Sequence, residues 1–219
     1  PGGPSHGYFK RLFLDRRFRP DEHPEDYTFI QALVSDNAAL QRSQPEYLRA
    51  LEKPPPNPKQ ALALRETHRY VGYGGARGGG KSWVVRGKAG LLCLRYPGIK
   101  GLITRKTYRE LLNNHITPLC QMLAGVARYN KSDKLFTFPN GSTVSFGYCA
   151  GDADLGQYQG AEYDVWFADE AGQFQETWLT QIDACVRGVN GFPKRTYYTL
   201  NPGGPSHGYF KRLFLDRRF

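Results

Sequence analysis

Residues 75–82 read Gly75-Ala76-Arg77-Gly78-Gly79-Gly80-Lys81-Ser82, which fits the spacing G-x-x-x-x-G-K-[ST]. Glycines at these places let backbone N–H groups turn inward around phosphate oxygens, and a helix start supplies further N–H groups and a positive dipole end. Lys81 has the charge and reach to neutralise the outer phosphates of a nucleoside triphosphate. The Ser82 hydroxyl can ligate the accompanying Mg²⁺. A glycine-rich turn without function would not need Lys-Ser at its end.

A second acidic element suits the same chemistry. "DVWFAD" (164–169) is a nearly continuous apolar run, as expected of a strand buried on both faces, and it ends in Asp169-Glu170. Ligands of α/β sheets bind at the carboxyl ends of the strands. Asp169 can hold the Mg²⁺ that Ser82 also ligates, and Glu170 can polarise a water for attack on the γ-phosphate. An acidic pair after a strand also serves to start a helix, but alongside the glycine loop the catalytic reading is favoured.

Other residues carry weaker signals. Arg77 can reach a γ-phosphate or simply face solvent. Asn201, at the end of a β-rich run, can sense the γ-phosphate or take part in a turn with Pro202-Gly203-Gly204. Gln60 can hydrogen-bond adenine, although a purely structural role is the stronger alternative. Arg105, Lys106 and Arg109 form a basic cluster, whose commoner fate is surface solvation and whose alternative is contact with the phosphates of a polyanion such as nucleic acid.

These groups need elements to position them. Short β-rich runs at 69–73, 101–104 and 195–201 alternate with helical stretches predicted at 82–95, 108–123 and 174–187. That alternation implies an α/β fold with a mostly parallel sheet and crossover helices. "KLFTFPNGSTVSFGY" places alternating runs around Asn140-Gly141, a hairpin signal. Upstream, 27–33 reads as a strand and 45–52 as a helix. "KPPPNPK" (53–59) interrupts both kinds of structure, so 54–58 reads as a joint between a segment 1–53 and a core 59–219.

Composition bounds the function. The chain has 219 residues, 40% of them hydrophobic, which can build a sizeable core. No apolar run is long enough to span a membrane. The four cysteines form no CxxC pair and the five histidines no metal-ligand spacing, so reduced, mostly buried thiols are expected. The net charge of +10 falls entirely within 54–219, compatible with a polyanionic partner or with a solvated basic face.

Taken together, "YGGARGGGKS", "ITRKTYREL", "FTFPNGS", "QYQGAEYDVWFADEAGQF", "RGVNGFPKR" and "LNPGGPSHGYFKRLF" resemble the large subunit of tailed-phage terminases, the ATPases that package DNA into procapsids. The resemblance implies an additional-strand, helicase-like P-loop NTPase. In it, Gly75–Ser82 match the Walker A loop and Arg77 a proposed cis finger. Asp169 and Glu170 match Walker B and the catalytic carboxylate, Thr199 and Asn201 the motif coupling hydrolysis to DNA movement, and Gln60, more loosely, an adenine contact. Implied partners are double-stranded DNA, a portal, a terminase small subunit and a possible homo-oligomeric ring, all in the cytoplasm of an infected bacterium.

Two departures from the family pattern stand out. The family's nuclease domain would need length and acidic clustering that this sequence does not offer, and Asp152 and Asp154, the only D-x-D, read as loop residues, so no DNA cleavage is expected of these 219 residues. In addition, residues 1–18 repeat unchanged as 202–219. Appending 19–53 after Phe219 restores the family order, so the chain reads as circularly permuted, with overlapping ends. A translated circular assembly is favoured over a natural permutant and a tandem repeat. The copy at 202–219 is expected beside Asn201, with 1–18 displaced. A superfamily-2 helicase would need a second RecA-like domain. The remaining alternative is a truncated fragment that binds nucleotide weakly and moves nothing.

Overall fold

The computed structural model describes residues 28–32, 56–75 and 78–216. Among these, eight strands form one sheet in the order β1-β2-β8-β7-β3-β6-β5-β4. They are β1 (Thr28–Ala32), β2 (Tyr70–Gly75), β3 (Lys100–Arg105), β4 (Arg128–Asn130), β5 (Leu135–Thr137), β6 (Thr143–Tyr148), β7 (Val165–Ala168) and β8 (Arg195–Leu200). From β1 to β6 every neighbouring pair is parallel, while β5 and β4 are antiparallel. The expected α/β architecture and the hairpin are both present. The helix expected at 45–52 and the segment 1–18 lie outside the described residues.

β8 lies between β2, which leads into the glycine loop, and β7, which carries the acidic pair. Both flanking strands therefore deliver their carboxyl ends to one edge, on either side of β8. Side chains alternate between the two faces along each strand. Leu102, Trp166, Ala168 and Tyr198 enter one core, and Ile103, Val165, Phe167 and Tyr197 the other. All four residues of β7 are buried, as its uninterrupted apolar run requires.

Helices cover both faces. α1 is Pro58–Arg65 and α2 is Lys81–Arg95. α3 (Tyr108–Leu111) and α4 (Thr117–Met122) flank a wide π turn, Leu112–Ile116. α5 is Glu176–Asp183, and α6 (His207–Phe210) continues as a π turn, Lys211–Asp216. In α5, Trp178, Leu179 and Ile182 are buried, each removal from water contributing about 1.5–3 kcal/mol. Phe210 and Phe214 pack edge-on against Tyr198, at 5.0 and 6.1 Å between ring centres, so residues of the C-terminal copy lie over the sheet.

Two predicted helices differ in extent. The stretch 174–187 is helical only over Glu176–Asp183, preceded by a 3-10 turn at Ala171–Gln173. The stretch 108–123 is not one helix, and Pro118 accounts for this. Pro118 has no N–H to offer the Asn114 carbonyl four residues back, and its ring crowds that carbonyl. The chain widens instead, with the Thr117 N–H bonding to the Leu112 carbonyl five residues earlier. The Asn114 carbonyl accepts a hydrogen bond from Arg86 on α2.

Candidate active site

The glycine loop leaves β2 and enters α2 through Gly80, whose φ of +70° suits a residue without a Cβ. Gly80 offers no side-chain cap, so the first N–H groups of α2 have no side-chain acceptor there. Lys81 is buried, with Nζ 3.4 Å from the Gly75 carbonyl oxygen. Burial pushes its pKa below the usual lysine value, and the carboxylates of Asp169 and Glu170 partly restore it.

Ser82, one residue on, donates from Oγ to Asp169 Oδ2 at 2.9 Å. These two groups thus meet across a separation of 87 residues. Both are hard oxygen donors beside a glycine loop, which fits a Mg²⁺ ion accompanying a nucleotide.

Asp169 is fully buried and surrounded by donors. Thr199 Oγ1 donates to Oδ1 at 2.6 Å, His115 Nε2 lies 2.8 Å from Oδ2, and Arg105 Nε lies 3.1 Å from Oδ2. The Arg105 Nε contact is an ion pair without well-directed hydrogen-bond geometry, since that nitrogen has no hydrogen-bond acceptor. Burial opposes ionisation of Asp169, but His115, Arg105 and Thr199 outweigh it and hold the carboxyl well below the usual range. His115 is itself driven toward its neutral form by complete burial.

Glu170 turns the chain out of the sheet with φ +53°, an uncommon conformation for a residue with a side chain. Its N–H bonds to Thr199 Oγ1 at 2.7 Å, so one hydroxyl on β8 ties together the backbone and the carboxylate of the acidic pair. The Glu170 carboxylate is partly exposed, bonded by Gln173 and 2.7 Å from Arg105 Nη2.

These groups border a cleft of about 800 Å³, lined by Gly78–Trp83, Arg86, Lys106, Asn114, Glu170, Gly172, Gln173 and 201–205. Lys81, Ser82, Glu170 and Asn201 therefore face one space, with Asp169 and Thr199 directly behind it. Ala76 and Arg77 lie outside the described residues. Gln60 does not line this cleft. Its Oε1 accepts from the Asn57 N–H, and its own N–H donates to Asn57 Oδ1, closing a capping box at the start of α1.

Arg105, grouped in the sequence reading with DNA-facing residues, is buried and paired with the acidic residues instead. β3 lies beside β7, and their parallel register brings Thr104 opposite Ala168, so the residues just beyond meet. Lys106 is half-buried and Arg109 exposed. Asp152 and Asp154 sit on a 3-10 turn, Asp152–Tyr158. Asp154 accepts from the N–H groups of Ala150 and Gly151, and Asp152 accepts from Trp178 Nε1 at 2.5 Å.

His115 and Arg86 were missed in the sequence. Pro118 was the available signal, because it forces the turn that carries His115 inward.

Comparison with known proteins bears on this arrangement. The family model described as phage terminase large subunit matches residues 66–218. No curated protein matches the chain. Among solved structures, the large terminase of a thermophilic bacteriophage aligns over 81% of this chain and 43% of its own, with 20% identity and a TM-score of 0.58. That terminase in complex with ATP-gamma-S aligns over 73% and 41%, with 23% identity and a TM-score of 0.58. The large terminase ATPase domain of Thermus phage P74-26 aligns over 73% and 70%, with 16% identity and a TM-score of 0.55. The likeness at these identities is one of fold, and the chain spans somewhat less than half the length of the first of these proteins.

Proposed function

Because the chain belongs to the phage terminase large subunit family, we propose that it is the ATP-hydrolysing motor domain that drives double-stranded DNA into a procapsid. The observation that carries the reading is the meeting of Ser82 with Asp169 at 2.9 Å, with Lys81, Glu170 and Asn201 on the same cleft. The phosphates of ATP would lie against the N–H groups of the glycine loop and the start of α2, with Lys81 neutralising their charge. Ser82 and Asp169 would hold Mg²⁺, which supplies charge neutralisation between the outer phosphates. Arg77 would reach the same phosphates from the loop, and Gln60 is retained as a more remote adenine contact.

Glu170 would orient the attacking water and take its proton. To do so its carboxylate must leave Arg105 and Gln173, at least in part. Thr199 is placed to relate that movement to β8, because it bonds both members of the acidic pair, and Asn201 stands at the cleft on the same strand. This supports their reading as the coupling residues. DNA contact would be made to the phosphate backbone, with Lys106 and Arg109 the remaining candidates. The portal, the small subunit and a homo-oligomeric ring are proposed as partners in the cytoplasm of the infected host. Among the described residues no helix is long and apolar enough to cross a membrane.

The test is ATP turnover by the purified chain, with and without DNA. Lys81→Ala and Glu170→Gln are each expected to abolish turnover, while Glu170→Gln retains nucleotide binding. Absence of Lys81-dependent turnover, together with absence of Lys81-dependent nucleotide binding, would reject the reading in favour of an inert fragment.

A further inference from the structure

We infer that His115 is a positioning residue of the nucleotide site, fixing Asp169 Oδ2 and, through it, the Ser82 hydroxyl at the head of α2. The inference rests on the reading of Ser82 and Asp169 as the pair that holds Mg²⁺ beside the nucleotide.

His115 is fully buried, and its Nε2 lies 2.8 Å from Asp169 Oδ2. The same oxygen accepts from Ser82 Oγ at 2.9 Å. The other imidazole nitrogen, Nδ1, has no hydrogen-bond partner among the described residues. A neutral imidazole with its proton on Nε2 satisfies this arrangement, because Nε2 then donates to the carboxylate and the lone pair of Nδ1 is all that is left buried. Among the described residues the ring makes no other hydrogen bond. Its hydrogen bond through Nε2 goes to the carboxylate beside Ser82.

The backbone reinforces the assignment. His115 stands on the π turn Leu112–Ile116, a form that is rare and frequent at functional sites. Pro118 creates that turn, and Arg86 secures it by donating to the Asn114 carbonyl. Asn114, the residue before His115, and Arg86 both line the cleft. The turn thus reaches the site through one wall residue and one buried imidazole. Three elements converge on Asp169 from behind the cleft: β3 through Arg105, β8 through Thr199 and this turn through His115. His115 acts on the oxygen that Ser82 shares, so it governs the orientation a cation at that pair would meet. Outer partners of metal-holding groups typically account for 10–100-fold in metal affinity.

The experiment measures binding of a fluorescent N-methylanthraniloyl-ADP to the full chain, in EDTA and across a MgCl₂ titration. Three variants are compared with the parent: His115→Leu, His115→Gln and His115→Asn. The Gln amide nitrogen reaches the place of Nε2, whereas that of Asn falls short of it. Expected for His115→Leu and His115→Asn is a rise of about tenfold or more in the Mg²⁺ concentration at half-effect. Affinity in EDTA should stay within about threefold of the parent, and His115→Gln should restore the Mg²⁺ response to within the same margin. If His115→Leu does not fold, the contrast between Gln and Asn decides the matter. An unchanged Mg²⁺ response in His115→Asn, or a Gln variant no better than Asn, overturns the positioning role. Failure of the parent chain to bind nucleotide with Mg²⁺ would instead overturn the underlying reading of the site, and the inference with it.

Discussion

A guanidinium nitrogen of Arg105 lies 2.7 Å from a carboxylate oxygen of Glu170, while Nε of the same side chain lies 3.1 Å from Asp169. One buried arginine therefore balances two adjacent acids, one wholly buried and one partly exposed. Removing it leaves Asp169 in the interior without its nearest permanent cation. Breaking a buried pair in this way costs about 3–5 kcal/mol. Arg105→Ala should lower the melting temperature by roughly 10 °C. Arg105→Lys retains the charge but not the planar fork, and should fall between the two. Thermal unfolding followed by circular dichroism checks this order, and an unshifted Arg105→Ala would mean the pair contributes little.

The same burial separates Arg105 from its neighbours in sequence. Arg105 has a side chain only 6% exposed, whereas Arg109 is exposed and Lys106 half-buried. If DNA is held through its phosphates, each contacting cation contributes to the salt dependence of binding. Lys106→Ala and Arg109→Ala should each reduce the slope of log affinity against log salt by about 1, and Arg105→Lys should leave it unchanged. Fluorescence anisotropy with a DNA duplex at several salt concentrations distinguishes these cases.

The glycine loop and Arg105 differ in how far their surroundings can be read from local sequence. Gly75–Ser82 and the run Val165–Ala168 carry their meaning locally: backbone freedom, a helix start, burial on both faces. The alternation of strands and helices likewise foretold a parallel sheet. "RKTYR" instead looks like any surface basic cluster, and only the adjacency of β3 to β7 brings Arg105 onto the acids. His115 is hidden for the same reason, since a lone histidine has no spacing to reveal its partner. Pro118 is visible in the sequence, but a proline alone does not say that the turn before it carries a histidine inward. The capping use of Gln60 was legible in principle, because Asn57 stands three residues earlier.

The wall formed by residues 201–205 depends on a close approach. A Cβ on Gly204 would lie 2.2 Å from the Gly172 carbonyl oxygen, and Gly204 also has φ +90°. Gly203 has a similarly unusual φ of +96°, but a Cβ there would meet nothing within 4 Å. Gly203→Ala should therefore cost only the conformational strain, about 1–2 kcal/mol. Gly204→Ala must in addition push two backbone segments apart at the cleft. It should be the less stable of the two and should bind nucleotide more weakly, as melting and fluorescence titration of both variants would show. Equal effects would mean that the contact with Gly172 yields freely.

Thiol chemistry gives an independent reading of burial. Cys93, Cys149 and Cys185 are buried and Cys120 is exposed. Burial pushes Cys93 and Cys149 up to about 12, so few of these thiols ionise at neutral pH. The thiolate is the reactive form. Native protein should release about one equivalent of colour from an aromatic disulfide reagent promptly at pH 8, and all four after denaturation. Cys120→Ser should remove the prompt equivalent. Prompt release of two or more would contradict the packing of the other three.

Lys88 supplies a pH signature of the fold. Its Nζ donates to the carbonyls of Leu64 at 2.6 Å and Glu66 at 2.8 Å, joining the end of α1 to α2 beneath the Tyr197 ring. Burial is the main cause that lowers its pKa from 10.5 to about 8, with nearby Arg195 acting in the same direction. The folded chain thus gives up this proton more readily than the unfolded one. Between pH 8 and 10.5 the unfolded state binds more protons at this site, so its contribution to stability rises with pH. Below pH 8 the full penalty of the buried cation applies, offset by its two hydrogen bonds. Lys88→Met cannot titrate, so the parent should gain melting temperature relative to Lys88→Met as pH rises from 8 to 9.5. That range stays below ordinary tyrosine ionisation, which would act with the opposite sign. A difference independent of pH would place the Lys88 ammonium in a better-solvated setting than its contacts with Leu64 and Glu66 describe.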